Sequence, residues 1–423
     1  MAGASKTLPP STFFPPYVMK ASRSAFYILG LCCTAYILSM FHRVCPAVIS
    51  LDLTRDFGLD NSTLGMLSGA TFLSYGLMQL PSGLLADKLG GRRSLCLLLL
   101  FAGGCAIGFS FSSSSSSLIS FRLLQGIGLA VTVPSMVILA GIFPAQAYAR
   151  VTSVLLCCGG MGSILAAQPL AFGSSLLGWR TCIAAAGVLT LALTAAIWFG
   201  IKDAPAAAKA DKPRSSIRQD IALIMKTRTF WLVAAWGMTI MGPYFTLFSL
   251  WWGPYLMNGC GLDKADASTI MTIGALFALL TQPIGGWLSD SVFHRRKALM
   301  VTGSLIGVAA ALIMVLKQGF DGTEAIMLMI VFVFGTVMFS PLNFAVLRES
   351  VPLRLIGTAT GLVNMLPPLW SVVMQKAYGW FLDLGGGSSP EAFRLASWVI
   401  LVNLVAALIV SLMLKETYGQ RVD

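Results

Sequence analysis

The sequence GLLADKLGGRR at residues 83–93 sets one acid and three bases around a glycine pair, between two long apolar runs. GWLSDSVFHRR at 286–296 repeats it 203 residues later, with Gly83 recurring as Gly286, Leu85 as Leu288, Asp87 as Asp290 and Arg92-Arg93 as Arg295-Arg296. The register holds upstream, where Gln79 recurs as Gln282 and Gly58-Leu59-Asp60 as Gly261-Leu262-Asp263. An ungapped repeat over this distance makes the chain two like halves in the same orientation.

Away from these loops the composition is that of a membrane protein. Of 423 residues, 56% are hydrophobic and only 11% charged, against roughly a quarter in soluble domains, and the mean hydropathy is +0.80. So few charges cannot cover a soluble surface, which excludes soluble, secreted and disordered classes. Runs of about 20 apolar residues are long enough to cross a hydrocarbon core as helices. Twelve such spans are expected, near 25–50, 61–84, 94–111, 118–143, 151–173 and 179–200, then 229–257, 266–288, 298–316, 325–347, 356–382 and 393–414. The polar segment 201–228 separates a bundle at 23–200 from one at 229–414, with tails at 1–22 and 415–423. The first tail lacks the apolar core and cleavage site of a signal peptide, so the first span is expected to stay in the mature protein.

The net charge of +12 is a matter of topology and not of nucleic-acid binding. With the N-terminus cytoplasmic, that side collects most of the 29 Lys and Arg, and the other receives Arg55, Arg180, Lys264, Lys317 and Arg394. The positive-inside rule then puts both termini in the cytoplasm, in the inner (plasma) membrane of a bacterial cell. The nine cysteines lie in or beside apolar runs without metal-ligand spacing and are expected as packed free thiols.

The two loops resemble the signature between the second and third helices of the major facilitator superfamily and its counterpart in the second half. RLLQGIG at 122–128 resembles that family's RxxQG element, and Gly178-Trp179-Arg180 opens the sixth span in family style. The resemblance covers essentially the whole chain and departs at Gly91, where many members have Arg. It implies an all-α fold of twelve transmembrane helices in two six-helix bundles related by a pseudo-twofold axis, working as a monomer by alternating access. It also implies a latch of the outward-facing state at Asp87, Arg92, Arg93, Asp290, Arg295 and Arg296, forming charge-assisted bonds to the neighbouring half; the alternative is that these charges only set topology.

Three cations fall inside spans with no acid to meet them: Arg43, Arg122 and Lys376. Charges in that position face a cavity or a partner, and a positive cavity awaiting an anion is the simplest proposal. Arg43 shares a helical stripe with Tyr36, Ser39 and Met40, and its planar fork suits carboxylate or phosphate; its position resembles that of the substrate arginine in the family's organic-anion branches. The other reading of Arg43 is snorkelling to the outer interface. Arg122 either contacts substrate or bonds backbone carbonyls of the first span. Lys376, near Asn364, Ser371 and Gln375, either faces inward as a second clamp or snorkels. His42 is the one intramembrane group that titrates near neutral pH, read as a proton-coupling residue or as a helix-packing donor. Tyr75, Tyr244, Trp251, Trp252 and Tyr255 are read as pocket walls or as packing. Pro367-Pro368 is expected to break the eleventh helix, Gly159-Gly160 and Gly162 to permit close approach, and the serines at 112–117 to form a loop.

No phosphate-binding loop, metal-ligand cluster, nucleophile-base pair, haem or flavin signature occurs, so neither enzymatic activity nor a cofactor is expected. The sequence therefore reads as a gradient-driven transporter of a small organic anion, using a proton or another coupling ion. The alternatives are a proton-coupled exporter of amphipathic compounds such as drugs or siderophores, a peptide transporter and, remotely, a membrane sensor or membrane enzyme.

Overall fold

A computed structural model describes residues 23–143, 145–201, 217–317, 319–352, 355–387 and 389–418. The tail at 1–22 and most of the linker lie outside the described residues, as do residues 419–423. What is described is helical throughout its spans, because in lipid a backbone must satisfy its own polar groups.

Twelve helical rods follow in the expected order. The first, Arg23–Val44, continues after Cys45 as Pro46–Phe57, which carries Asp52 and Asp56. The second is Asn61–Leu89, the third Gly91–Ser110, the fourth Ser115–Ile142, the fifth Ala145–Leu165 continued by Gln168–Leu177, and the sixth Trp179–Gly200. Beyond the short helix Ile217–Met225 come Arg228–Gly259, Lys264–Phe293, Lys297–Leu316, Gly322–Ser350, Ile356–Leu384 and Pro390–Met413. The second and eleventh have 29 residues each and are less apolar than the rest. They pack against one another along most of their length, from Gly65 beside the Gln375 carbonyl to Gly76 beside Leu369, so less of their surface meets lipid.

The repeat has a local cause. Gly58 (φ 61°) and Gly261 (φ 74°) turn the chain in the left-handed region that glycine tolerates. Two residues on, Asp60 accepts the N–H of Thr63 and Asp263 that of Asp266, each capping the helix that follows.

Three expectations are corrected. The eleventh helix runs unbroken through Pro367-Pro368. Ser114 caps a fourth helix that already includes Ser115–Ser117, through a reciprocal Ser114/Ser117 box. Part of the polar linker is helix Ile217–Met225, whose Ile224 is buried in the core. The nine cysteines are free, as expected.

The first spans of each three-helix unit are interrupted in mid-course: the first at Cys45-Pro46, the fourth at 129–131 and the tenth at 338–341, while the seventh widens to i→i+5 turns at Leu247–Trp251 and Tyr255–Gly259. The two halves meet along three seams, second span to eleventh, fifth to eighth, and first to seventh. These seams are tightest on the face opposite the 83–93 and 286–296 loops. There Asp383, ending the eleventh helix, accepts the N–H groups of Asn61 and Ser62 and the Asn61 side chain at 2.9–3.1 Å. Lys264 donates to Asp52 (2.8 Å) and Ser174 (3.0 Å). A Cβ on Gly253 would stand 1.9 Å from the Ala47 carbonyl oxygen, so the first and seventh spans touch backbone to backbone.

Candidate functional site

Pro46 has no N–H, so the carbonyl of His42, four residues earlier, loses its partner within the helix. Arg122 of the fourth span takes it: Nη1 donates to the His42 oxygen at 2.7 Å and to Gln125 Oε1 at 2.8 Å. At the break in the fourth span the Leu129 carbonyl likewise receives the Ser39 hydroxyl at 2.8 Å. Two crossed bonds thus tie the first and fourth spans, and Arg122, 2% exposed, is a brace inside its own half. Its Nε and Nη2 are buried without hydrogen-bond partners.

Arg43 has a different environment. It is 3% exposed, and its Nε donates back to the Ser39 carbonyl at 3.3 Å, which folds the guanidinium one turn along the helix. The guanidinium lies 4.3 Å from the Tyr75 ring centre and 5.8 Å from that of Tyr36. Its Nη2 is buried with no hydrogen-bond partner. Among the described residues the carboxylates lie at helix ends and loops, and none reaches Arg43. Tyr36 is held by close approach of the fifth span, whose Gly159 leaves room for its ring and whose Gly162 meets the Ile37 carbonyl. On the seventh span, Tyr244 stacks on Phe248 (4.6 Å between centres), while Phe245 meets Phe72 of the second span at 5.8 Å. Arg43, Tyr36 and Tyr75 therefore form one aromatic-walled, positively charged site against the seam between halves.

Three sequence expectations do not join it. Lys376 is exposed on the outer face of the eleventh helix, on a stripe with exposed Val373 and Trp380, while Gln375 beside it points inward. Lys376 therefore does not join Arg43 in this structure. His42 is buried between the first and sixth spans with Nε2 3.1 Å from Thr190 Oγ1. That hydroxyl also donates to the Ala186 carbonyl (2.8 Å), and His42 Nδ1 is buried without a partner, so His42 packs against the sixth span and not against Arg43. Trp251, Trp252 and Tyr255 are packed in the core, not lining the site.

The latch residues also divide. Arg92 donates to the Trp198 and Ile201 carbonyls (3.3 and 3.0 Å), holding the end of the sixth span in its own half. Arg296 binds Asp290 and Glu349, again within one half, and stacks on Tyr418 at 5.0 Å. Arg295 and Arg93 are exposed, and the Asp87 side chain lies outside the described residues. These bonds of Arg92 and Arg296 lie within their own halves, which fits a molecule whose seams are closed on the opposite face.

Sequence reasoning passed over Ser249 and undervalued Gln375. Gln375 Nε2 donates to Ser249 Oγ at 2.9 Å, both buried, and its Oε1 has no partner. The signal in the sequence was the polar stripe of Asn364, Ser371 and Gln375 beside Lys376.

The Major Facilitator Superfamily family model matches residues 28–374. The chain belongs to that superfamily. Among curated members, this facilitator is 24% identical over 411 residues to a protein described as a probable sulfoacetate transporter of Cupriavidus necator, covering 91% of this chain and 93% of the other. It is 23% identical to the hexuronate transporter of Bacillus subtilis, over 86% and 89% of the two chains. Its fold matches the crystal structure of a bacterial homologue of the human lysosomal transporter Spinster in an inward-facing, unoccupied conformation, with a TM-score of 0.79 at 18% identity over 93% and 97% of the chains. The facilitator is thus a transporter of this superfamily, integral to a membrane, with the twelve-helix, two-bundle fold.

Proposed function

We propose that this facilitator carries a small organic anion, a carboxylate or phosphate ester, in symport with protons by alternating access. The observation that carries the reading is the buried Arg43 guanidinium with an unpartnered Nη2 and no carboxylate beside it. An uncompensated buried charge is unfavourable, and an anion supplies both the countercharge and the missing acceptor in a bidentate geometry. Tyr36 and Tyr75 orient the guanidinium by stacking and offer hydroxyls to a second polar group of the substrate. Both relatives named above are described by anionic substrates, which supports the class. The moving units are 23–200 and 229–414, with 201–228 as the linker. The 83–93 and 286–296 loops face the cytoplasm, the membrane is a bacterial plasma membrane, and the unit of function is the monomer.

The test is thermal stabilisation of purified protein by carboxylates, phosphate esters, neutral sugars and cationic amphiphiles. A ligand at 100 times its dissociation constant adds about 2.7 kcal/mol. Anions are expected to stabilise the wild type, with the shift lost in Arg43→Ala and reduced in Arg43→Lys, which keeps the charge but not the fork. Stabilisation only by neutral or cationic compounds, or an unchanged response in Arg43→Ala, would overturn the reading.

A further inference from the structure

Outside the substrate site, the third and sixth helices leave a groove of about 480 Å³ on the membrane face of the first half. Cys96 Sγ on the Thr194 carbonyl (3.7 Å) closes its floor. The walls are Leu97 and Leu100 of the third helix and Leu191 and Trp198 of the sixth, with Ala195 keeping the floor low. Leu97, Leu100 and Trp198 are each about half exposed, so the groove opens sideways into the bilayer. Its third-helix lining, basic Arg93 followed by apolar Cys96, Leu97 and Leu100, follows one face of that helix for two turns, roughly 10 Å along the membrane normal. Arg93 stands at the end of the groove nearest the 83–93 loop, exposed. Lys88 is exposed nearby, and Arg92 lies over the Trp198 ring at 4.9 Å.

We propose that this groove binds an anionic phospholipid, with an acyl chain between the third and sixth helices and the headgroup phosphate on Arg93. The argument is the conjunction of shape and charge. A groove apolar along its length and basic at one end matches a lipid with a chain and an anionic head, and it lies at the height of one leaflet. That leaflet is the one carrying the chain's basic loops, and basic pockets between helices on that side select anionic headgroups. A soluble anion would gain nothing from the apolar walls, and an uncharged lipid would gain nothing from Arg93. The inference does not depend on the substrate site.

The experiment is native mass spectrometry of the purified full-length protein, titrated with phosphatidylglycerol and phosphatidylcholine of identical chains. The wild type is expected to retain phosphatidylglycerol about fivefold better, the value of roughly 1 kcal/mol per cation at an anionic surface. Arg93→Gln should level the two lipids, and Arg93→Lys should restore the preference. Ala195→Trp, which fills the floor, should lower retention of both lipids while unfolding at the wild-type temperature. Millimolar glycerol phosphate should not displace the lipid. Equal retention of the two lipids by the wild type, a preference that survives Arg93→Gln, or displacement by free glycerol phosphate would each overturn the proposal.

Discussion

Arg43 and Arg122 are both buried arginines at one depth, and the sequence alone does not separate them. What separates them is the partner. Arg122 answers a carbonyl that Pro46 releases, and its removal leaves the His42 oxygen and Gln125 unpaired, at roughly 1–3 kcal/mol for buried polar groups. Arg43 bonds only the Ser39 carbonyl of its own helix, at 3.3 Å, and reaches no other span by a hydrogen bond, although Arg122 too keeps its Nε and Nη2 unpartnered. Arg122→Met should therefore lower the unfolding temperature, while Arg43→Met should leave it unchanged or raise it, because an uncompensated buried charge has been taken away. Equal losses in the two variants, read by thermal unfolding without ligand, would deny the division of roles. The pairing of Pro46 with His42 was visible in the sequence as a spacing of four, but the donor that answers the His42 carbonyl lies 80 residues away in the fourth span, and only the fold brings it there. Lys376 failed for a similar reason: a stripe of polar neighbours is two-sided until packing shows which side is covered.

At the scale of elements, the ninth helix begins under the chain's last described turn. Glu416 accepts the N–H groups of Arg296 (2.8 Å) and Lys297 (3.2 Å), and those of Thr417 and Tyr418 at 3.1 Å. Burial raises its affinity for a proton, but these backbone donors outweigh burial and hold the carboxyl below its usual 4.5. A carboxyl lowered in the folded state contributes stability above its ordinary range and loses it as pH falls through the folded value. Thermal unfolding should thus show a loss between about pH 5 and 3 that is smaller in Glu416→Gln, and an unchanged acid limb in that variant would argue against this cap. The helices themselves were legible, since length, hydropathy and the 203-residue repeat located all twelve rods. Their ends and breaks were not, because Pro367-Pro368 is carried inside an intact helix while Pro46 and Pro134 follow breaks in the first and fourth spans. A local signal for a break is overridden when neighbouring helices supply the packing.

For the whole molecule, opening the face opposite the signature loops requires parting Asp383 from the second helix and Gly253 from Ala47. Gly253→Ala leaves no room for the Ala47 carbonyl, so it should favour states in which the first and seventh spans are apart. Hydrogen exchange of the 46–64 segment should rise in this variant, and unchanged protection would mean that the seam relaxes without opening. The two-half architecture was readable because it is written twice in the chain; which surfaces meet was not, since the contacts of Asp383 and Lys264 span 321 and 212 residues.

The two outer seams are also chemically unlike. Lys264 and Asp52 form an ion pair between side chains 32% and 21% exposed, whereas Asp383 grips two backbone N–H groups at a helix start. At physiological ionic strength the Debye length is about 8 Å, and it shrinks to about 3 Å at 1 M salt. Raising salt therefore weakens the ion pair between the first and eighth spans while the second–eleventh seam keeps its short-range bonds. In concentrated salt the exchange protection of 264–272 should fall before that of 61–65, so the closure opposite the signature loops loosens unevenly.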